Sequence, residues 1–399
     1  MIRVVITGMG WVTSLGLDTR KTWDAMLAGA SGIRPLRSLA MPGEAVQIAA
    51  EVDLPPDGPG NPHASRCEHL AHQALSEALQ QAHLNLDTGD PRRRGVFQGA
   101  STAGLPAGEQ HLLETRAGLA GQARTVLHQH ASRITDVLAH RLNATGPRLT
   151  VMNACSSSLL SLGQAWERIA SGELDFALAG GVEALCRLTF AGFSSLKVMD
   201  PRPCRPFNRD RAGMNLGEGA ALFLLEPLEQ ARARRAEILA EVLGYGVAMD
   251  AHHPTAPHPE GAGAAQAMDM ALQRAGLYRG EVDLISAHGT ATPANDASEI
   301  LAIKRVLGPE ALRTSITASK SQFGHTLGAA GALGAATAIL ALRHQVVSPT
   351  LRLENPDPQC DLDCTPLVPR ERSVRTALVN AFGFGGNNVC LALKRWEGK

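Results

Sequence analysis

The sequence predicts an α/β protein with a largely parallel sheet that is covered by helices on both faces. Short apolar or β-branched runs alternate with longer helical patterns along almost the whole chain, as in folds built from strand–helix–strand units. With 399 residues, the chain is long enough for two packed domains or for one domain with an internal duplication. No repeat is legible in the residues, so we expect any duplication to be structural, with halves at residues 1–241 and 242–399.

The predicted elements follow one another in a regular order. Strands are expected where apolar or β-branched segments end near small or polar residues, and helices where apolar residues recur at helical spacing. The predicted strands are residues 4–7, 94–98, 149–153, 176–179, 240–243, 282–287, 315–318 and 377–381. The predicted helices are residues 69–82, 157–170, 263–275, 297–306 and 329–342.

Composition and charge exclude several classes of protein. Apolar residues make up 44% and charged residues 19% of the chain, which is ordinary for a globular protein. Lys plus Arg (38) equals Asp plus Glu (38), so charge indicates neither nucleic acid nor an anionic membrane as a partner. The most apolar stretch, residues 327–342, is rich in Gly and Ala and too short to span a bilayer, so we expect a buried helix there. The first residues lack the pattern of a signal peptide, which predicts a cytoplasmic protein.

The seven cysteines are odd in number and widely scattered, unlike those of a disulfide framework. Their distribution suits a reducing compartment. Cys360 and Cys364 stand four residues apart in the sequence, but no second Cys or His pair lies at zinc-like spacing. Because the ligand count is too low, the sequence predicts no metal site.

Cys155 lies at a predicted strand-to-helix turn. The strand at residues 149–153 ends just before it, and apolar residues follow at helical spacing from Leu159 onward. The positive end of the helix dipole favours a thiolate, which is the nucleophilic form of cysteine. Because cysteines are also among the most commonly buried residues, the local sequence supports a core residue and a nucleophile equally.

Two histidines, a lysine and a glycine-rich loop also stand at the ends of predicted strands. His288 ends one strand, Lys320 and His325 follow another, and residues 383–388 follow the last. In open α/β sheets, ligands bind at the carboxyl ends of the strands. This coincidence of four reactive side chains and a flexible loop favours a functional site that contains Cys155.

The sequence resembles the β-ketoacyl–acyl-carrier-protein synthases of the thiolase superfamily, of the elongating Cys-His-His type. The resemblance runs along the whole chain and rests on several motifs that occur in order. They are Val-Ile-Thr-Gly-Met-Gly at residues 5–10, Asn-Ala-Cys-Ser-Ser at 153–157, Cys-Arg-Pro-Phe-Asn-Arg-Asp at 204–210, Leu-Gly-Glu-Gly-Ala at 216–220, His-Gly-Thr at 288–290, Lys320, Gly-His at 324–325 and Gly-Phe-Gly-Gly at 383–386.

The resemblance implies a thiolase-like fold, in which two similar βαβ halves form five αβαβα layers. It implies that Cys155 accepts an acyl group from an acyl carrier protein, and that the reaction uses no cofactor and no metal. His288 and His325 would hold the malonyl thioester oxygen while CO2 leaves, and the resulting enolate would attack the acyl-cysteine. Lys320 would pair with Glu299 and maintain the electrostatics of the site.

The resemblance also assigns the residues around this centre. The backbone N–H groups of Cys155 and Phe384 would form an oxyanion hole for the thioester carbonyl. Phe384 and Gly385 would belong to a gate that moves when the cysteine is acylated. Thr290 and Thr292 would bind the phosphopantetheine arm of the carrier.

Three departures from the family pattern concern the substrate. Thr102 and Met214 would line the acyl pocket, and Met214 stands where the family usually has Phe. Asn387 replaces the Thr that usually follows the double glycine of the gate. The segment between Thr102 and Cys155 is also shorter or differently organised than in housekeeping enzymes. The sequence therefore leaves open both bulk fatty acid elongation and a specialised polyketide or aryl polyene pathway.

Several related classes of protein differ from this chain in their reactive residues or in their expected products. Initiating synthases have a Cys-His-Asn set and thiolases a second reactive cysteine, so histidine at both positions favours elongation. A chain-length factor has this fold without the nucleophile, and a Cys-His hydrolase would cleave the carrier thioester without any malonyl-dependent product.

We expect a homodimer, with a heterodimer that contains a catalytically silent paralogue as the alternative. Arg66, Arg124 and Arg202 are candidate contacts for the acidic carrier.

Overall fold

A computed structural model of the chain describes residues 1–39, 41–55, 64–119 and 124–398, without the side chains of residues 124 and 125. The strands are β1 (Val4–Val12), β2 (Ile33–Pro35), β3 (Ile48–Ala50), β4 (Arg94–Gly99), β5 (Arg148–Val151), β6 (Phe176–Glu183), β7 (Gly219–Pro227), β8 (Ala240–Met249), β9 (Leu284–Ser286), β10 (Ser315–Thr317), β11 (Val346–Val347), β12 (Arg370–Glu371), β13 (Thr376–Gly383) and β14 (Asn387–Lys394).

The helices alternate with these strands through most of the chain. They are α1 (Thr19–Leu27), α2 (Arg66–Ala82), α3 (Leu105–Arg116), α4 (Arg124–Leu127), α5 (Arg133–Arg141), α6 (Ser157–Ala170), α7 (Arg187–Ser195), α8 (Leu228–Ala233), α9 (Ala262–Ala275), α10 (Pro293–Leu307), α11 (Lys320–Phe323) and α12 (Ala330–His344). Each predicted strand and helix overlaps an observed one, and α6 has the predicted bounds.

Ten of the strands in the described parts of the chain form one sheet in the order β10-β9-β13-β14-β8-β1-β7-β6-β4-β5. Numbered within its own half of the chain, each set of five strands has the order 1-5-4-2-3. The pairings also match, since strand 5 is antiparallel to both of its neighbours and strands 4, 2 and 3 are parallel in each half. The two halves therefore repeat one topology, and β1 pairs with β8 to join them.

The expectation of a largely parallel sheet is wrong. The centre of the sheet is antiparallel, because β7 and β14 are inserted beside the first strand of each half. A short turn connects β13 to β14, and a turn of that length cannot hold a crossover helix. The sequence did not predict β7, since its run of buried apolar residues lacks the alternation that marks a half-buried strand.

Five layers result from this duplication. The central layer contains α6 and α12, and each of them contacts strands of both halves. The outer layers contain α2 and α5 on the first half and α9 and α10 on the second. The segment Leu327–His344 is long and apolar enough to cross a membrane, but 89% of it is buried inside the protein, as expected for a core helix.

Close packing of α2 on β1 makes a stability prediction possible. A Cβ on Gly10 would overlap the backbone carbonyl of Ala74 in α2, whereas a Cβ on Gly192 in α7 meets no atom within 4 Å. We expect Gly10→Ala to lower the free energy of unfolding by about 2 kcal/mol or more, because backbone must move to relieve the overlap. Gly192→Ala should leave it unchanged or raise it by up to about 1 kcal/mol. Urea denaturation of both variants measures the difference, and equal midpoints would contradict the packing described here.

Candidate active site

Cys155 lies in the tight turn between β5 and α6, where the sequence predicted it. Ala154 has a left-handed backbone conformation (φ 49°), which turns the chain sharply just before the cysteine. The Ser101 hydroxyl donates to the Ala154 carbonyl oxygen at 3.0 Å and ties this turn to the end of β4. Cys155 is only 6% exposed. The turn therefore presents a thiol that solvent scarcely reaches.

Burial opposes the thiolate that a helix N-terminus favours at Cys155. Burial raises the pKa of the Cys155 thiol to about 12, and the charge of Glu183 adds to the increase. The charge of Lys320 lowers that pKa, as do hydrogen bonds from the backbone N–H groups of Phe384 and Cys155, but these effects are outweighed by burial. At neutral pH, Cys155 is a thiol with hydrogen-bond donors already directed at its sulfur.

The residues 383–388, which we call the gate loop, contact the cysteine turn closely. A Cβ on Gly383 would lie 3.1 Å from the Ala154 Cβ and 3.2 Å from the Cys155 nitrogen. This approach brings the Phe384 N–H group to the sulfur. Two converging backbone donors are what an oxyanion hole requires, so the geometry is compatible with the predicted role of Cys155 and Phe384.

His288 and His325 lie side by side next to Cys155. Their ring centroids are 5.4 Å apart and the rings are nearly perpendicular, at 85°. Burial lowers the pKa of each imidazole well below its ordinary value, and the neighbouring charge of Lys320 lowers it further. Both histidines are therefore neutral at neutral pH, and each can donate one hydrogen bond and accept another.

The neighbours of the two rings determine which nitrogen carries the proton. The Leu327 N–H group donates to Nδ1 of His325 at 3.2 Å, so the proton of this neutral ring lies on Nε2. The Lys320 ammonium lies 3.5 Å from Nδ1 of His288 and donates to the His288 carbonyl oxygen at 2.6 Å. Because an ammonium has no acceptor, it also favours a proton on Nε2 of His288. Each histidine thus offers one Nε2–H donor.

Lys320 and Glu299 do not form the predicted direct pair. Within the described parts of the chain, no ion pair joins them; Glu299 instead accepts hydrogen bonds from the backbone N–H groups of His288 and Gly289, both at 2.8 Å. Burial lowers the pKa of Lys320 to about 8, and the charge of Glu299 is the largest effect that opposes this. Glu299 acts on the lysine through its electric field, while its carboxylate holds the His288 backbone.

A cavity of about 220 Å³ brings most of the predicted site residues together. Thr290 and Thr292 lie on its wall with their hydroxyl oxygens 2.9 Å apart. The Phe384 ring packs against Phe193 of α7, with 5.4 Å between the ring centroids. Gly385 is exposed at the rim. The cavity is lined by Cys155, Phe193, Val198, Met214, Asp250, Thr255, Ala256, Pro257, His288, Thr290, Thr292, Ala294, Asn295, His325, Phe382, Gly383, Phe384, Gly386 and Asn388.

Thr102 does not lie on the wall of this cavity. Its hydroxyl donates to the buried carboxylate of Glu183, which also accepts the backbone N–H groups of Ser101 at 2.7 Å and Gly328 at 3.0 Å. Met214 does line the cavity and packs in the apolar cluster around Cys155. The acyl-pocket role of Thr102 therefore remains a prediction.

Sequence reasoning missed Glu183 and Phe193. Glu183 ends β6, which continues beyond the predicted strand at residues 176–179. An acidic residue at the end of an otherwise apolar run was the signal that the sequence offered. Phe193 lies in a helix with a weak apolar period, so nothing local distinguished it. Among the described residues, no group of three His, Cys, Asp or Glu side chains is arranged to hold a metal ion.

Two of the predicted carrier contacts are engaged in internal ion pairs. Arg66 is half-buried, donates to Glu218 through Nε at 2.8 Å, and also donates to the Val52 carbonyl oxygen. Arg202 lies near Asp200 and Asp210 on the surface. The side chain of Arg124 lies outside the described residues. Arg66 is thus engaged in a structural ion pair with Glu218, and its contact with the carrier stays a prediction.

The fold and the site together define an acyl-transferring condensing enzyme of thiolase-like architecture. Family models of the β-ketoacyl synthase N-terminal and C-terminal domains match residues 1–231 and 239–354. The chain belongs to the β-ketoacyl synthase family.

Full-length relatives agree with this assignment. The chain is 40% identical to "Nodulation protein E" of Rhizobium meliloti (strain 1021), over 98% of this chain and 99% of that one. It is 36% identical to "3-oxoacyl-[acyl-carrier-protein] synthase 2" of Synechocystis sp. (strain ATCC 27184 / PCC 6803 / Kazusa), over 99% and 98%. Among solved structures, it is similar to "The ishigamide ketosynthase/chain length factor", with a TM-score of 0.94, 37% identity and 99% of each chain covered.

The charge of Lys320 should control the reactivity of Cys155. At pH 7.0 the lysine is protonated, since its pKa is about 8, and its charge is the largest effect that lowers the pKa of the thiol. We expect Lys320→Met to raise that pKa further and to slow alkylation of Cys155 by iodoacetamide, about tenfold for each unit of increase. Mass spectrometry of the Cys155 peptide gives the rate. Lys304→Met, which removes a surface charge, is the control; equal rates in the two variants would contradict this account.

Proposed function

We propose that the protein condenses an acyl group with malonyl carrier protein by decarboxylative Claisen chemistry, as in fatty acid elongation. The products are 3-oxoacyl carrier protein, CO2 and the free holo-carrier. The observation that carries the proposal is a single cavity in which a buried thiol faces two backbone N–H donors and two neutral histidines. The thiol and the two N–H donors suit acyl transfer, and the two histidines suit stabilisation of an enolate.

The first step moves the acyl group from the carrier to Cys155. The sulfur attacks the thioester carbonyl carbon while the N–H groups of Cys155 and Phe384 stabilise the developing oxyanion. A new C–S bond forms, the old one breaks, and the thiol proton is transferred to the departing pantetheine sulfur. Because one neutral thioester and one thiol become another neutral thioester and thiol, the step leaves no net charge in the buried site.

The second step creates a carbanion equivalent from malonyl carrier. The Nε2–H groups of His288 and His325 donate to the malonyl thioester oxygen, the bond to the carboxylate breaks, and CO2 leaves. The electron pair forms an enolate, which attacks the acyl carbon on Cys155. As the new C–C bond forms, the bond between the acyl carbon and the cysteine sulfur breaks, so the negative charge of the malonyl carboxylate ends on that sulfur. The pKa of about 12 then favours uptake of one proton from solvent, which restores the thiol.

We further propose roles for the residues around the reactive centre. Thr290 and Thr292 bind the pantetheine arm, and Phe384, which packs on Phe193, acts as the gate.

The chain divides near residue 241 into a half that carries the nucleophile and a half that carries the catalytic histidines, and β8 begins near that point. The protein is cytoplasmic and works as a dimer with a second copy or with a silent paralogue. Exposed apolar side chains on α3, α4 and α7 favour dimerisation, among them Leu112, Leu127 and Leu188.

Lys197 is a better candidate than Arg66 for contact with an acidic carrier. It follows α7 directly, is exposed, and precedes Val198, which lines the cavity. Within the described residues it forms no ion pair, so its charge is available to a partner. A cation at the rim of the cavity would guide the acidic carrier toward the thiol.

A specialised pathway is the second candidate. Two full-length similarities support a specialised pathway, one to the nodulation protein and one to the ishigamide ketosynthase/chain length factor. The Met214 side chain in the apolar cluster around Cys155 also departs from the aromatic residue usual in the family. Competition among acyl carriers that differ in chain length and unsaturation, with the 3-oxoacyl product as readout, distinguishes the two candidates.

The division of labour between Cys155 and the histidines can be tested directly. We expect Cys155→Ala to abolish acyl transfer, and His325→Ala to retain the acyl-cysteine adduct but to lose decarboxylation of malonyl carrier. Mass spectrometry detects the adduct, and CO2 release with product analysis detects the second step. Cys364→Ala and His140→Ala are matched controls that should retain both activities. Full condensation by either test variant would refute the mechanism.

The same assay separates the competing functions. A chain-length factor would form no adduct on Cys155. A hydrolase would release free acid from acyl carrier whether or not malonyl carrier is present. Malonyl-dependent 3-oxoacyl product is expected only from the condensing enzyme.

Charge reversal at the rim tests the carrier contact. We expect Lys197→Glu to raise the KM for malonyl carrier about three- to tenfold at low ionic strength and to reduce its salt dependence, with kcat little changed. Steady-state kinetics at two salt concentrations provide the measurement. Arg20→Glu makes the same charge change on α1, where Arg20 is 92% exposed, and should have no effect. Equal KM values for the two variants would place the carrier elsewhere.

A further inference from the structure

The segment at residues 250–261, which we call the entrance segment, connects β8 to α9 and forms part of the cavity wall. Thr255, Ala256 and Pro257 line the cavity directly. The segment carries three histidines, and two of them act as hydrogen-bond acceptors for its own backbone. This use of imidazole as an acceptor makes the shape of the wall depend on the protonation state of the rings.

His253 is the central acceptor. Its Nδ1 atom accepts the backbone N–H groups of Thr255 and Ala256, both at 3.1 Å. The two donors belong to the residues that line the cavity, so the imidazole sets the turn that forms the wall. An imidazolium carries a proton on both nitrogens and cannot accept either bond. The observed turn therefore requires a neutral His253.

Other contacts hold both ends of the entrance segment. Asp250 accepts the His258 N–H group at 3.0 Å and the Asn388 side-chain amide at 2.9 Å. The Gly385 N–H group donates to the Pro254 carbonyl oxygen at 2.7 Å, which links the segment to the gate loop. These bonds do not involve an imidazole nitrogen. Protonation of His253 would thus release the wall at Thr255 and Ala256 while the ends remain attached.

We propose that neutral His253 is a positioning residue that shapes the cavity wall for the pantetheine arm of the malonyl substrate. This inference rests on the proposed function, because it assigns the cavity to that arm. His253 touches neither the thiol nor the two histidines of the reaction. Its effect is therefore on the binding of the arm, and acid releases the wall.

The groups of the reactive centre have pKa values that differ from the ordinary imidazole value near 6.5. The pKa values of His288 and His325 lie well below that value, and those of Lys320 and Cys155 are about 8 and about 12. The remaining titratable or polar groups on the segment and the elements packed against it are Asp250, His252, His258, Glu260, Ser298 of α10 and Asn388 of the gate loop.

His258 requires its own control, because its Nδ1 atom accepts the Glu260 N–H group at 3.2 Å. Its ring also lies 5.2 Å from that of His252. Protonation of His258 would affect the start of α9, while Thr255 and Ala256 depend on His253. A His258→Asn variant separates the two contributions.

Replacement by asparagine gives the sharpest test. An Asn side-chain oxygen can accept the same N–H groups in an Asx turn and does not titrate. For the wild type, we expect the KM for malonyl carrier to rise about three- to tenfold between pH 7.6 and pH 5.8, with a smaller change in kcat. His253→Asn should keep the KM of the wild type at pH 7.6 and lose most of the rise. His253→Ala should have the raised KM at both pH values.

A second measurement needs no substrate. Hydrogen exchange of the Thr255 and Ala256 amides, expressed as protection relative to the unfolded chain, should fall at pH 5.8 in the wild type and stay constant in His253→Asn. His252→Asn, with the same substitution one residue earlier, should behave like the wild type in both assays. Loss of protection in the wild type without any condensation would support the His253 turn and refute the proposed function.

Two results would overturn the inference. One is a wild-type rise in KM that His253→Asn retains in full, since the titrating group would then lie elsewhere. The other is amide protection at Thr255 and Ala256 that does not depend on pH or on the residue at position 253.

Discussion

Two buried carboxylates, Glu183 and Glu299, hold the loops on which the reactive groups depend. Each lies in the interior without a direct ion pair among the described residues, and each is satisfied mainly by backbone N–H groups. Glu183 binds the chain after β4 and the turn before α12, while Glu299 binds the chain at His288. A carboxylate that loses such donors becomes costly in an apolar interior, so the loops have little freedom to rearrange. The reactive geometry thus depends on satisfying these two charges.

The same burial determines the protonation states. It raises the pKa of Cys155 and lowers those of His288 and His325, so these three reactive groups are neutral beside the cation Lys320. Neutral imidazoles whose Nδ1 atoms face a donor have their remaining protons directed away from that donor. In the proposed reaction, negative charge that develops in the cavity would meet these oriented donors and one nearby positive charge. The proposed charge would thus be stabilised with little reorganisation of the protein.

The sequence predicted the alternation of elements and the strand-end positions of Cys155, His288 and His325, because periodicity and turn residues are local properties. Helix α6 has the predicted bounds for that reason. Sheet direction, ion pairing and pKa depend on residues far apart in the chain. The buried apolar run of β7 shows no alternation, and the ion-pair partner of Arg66 is Glu218, which lies 152 residues further along the chain. The acidity of the Cys155 thiol is set mainly by burial and by the charge of Lys320, neither of which is a local property of the sequence. The roles of the site residues were supplied by family resemblance and not by local pattern.

The repeated 1-5-4-2-3 order means that each part of the site has a structural counterpart in the other half. Cys155 follows the third strand of the first half, and Lys320 follows the third strand of the second. Phe193 and Phe384 lie in the two equivalent connections between strands 4 and 5, one long and one a tight hairpin, and their rings meet. Two connections with the same place in the topology thus differ in length and content. In the proposed mechanism, changes in the long connection would alter which acyl chains enter the cavity, while the hairpin would still supply the Phe384 N–H group to the thioester oxygen.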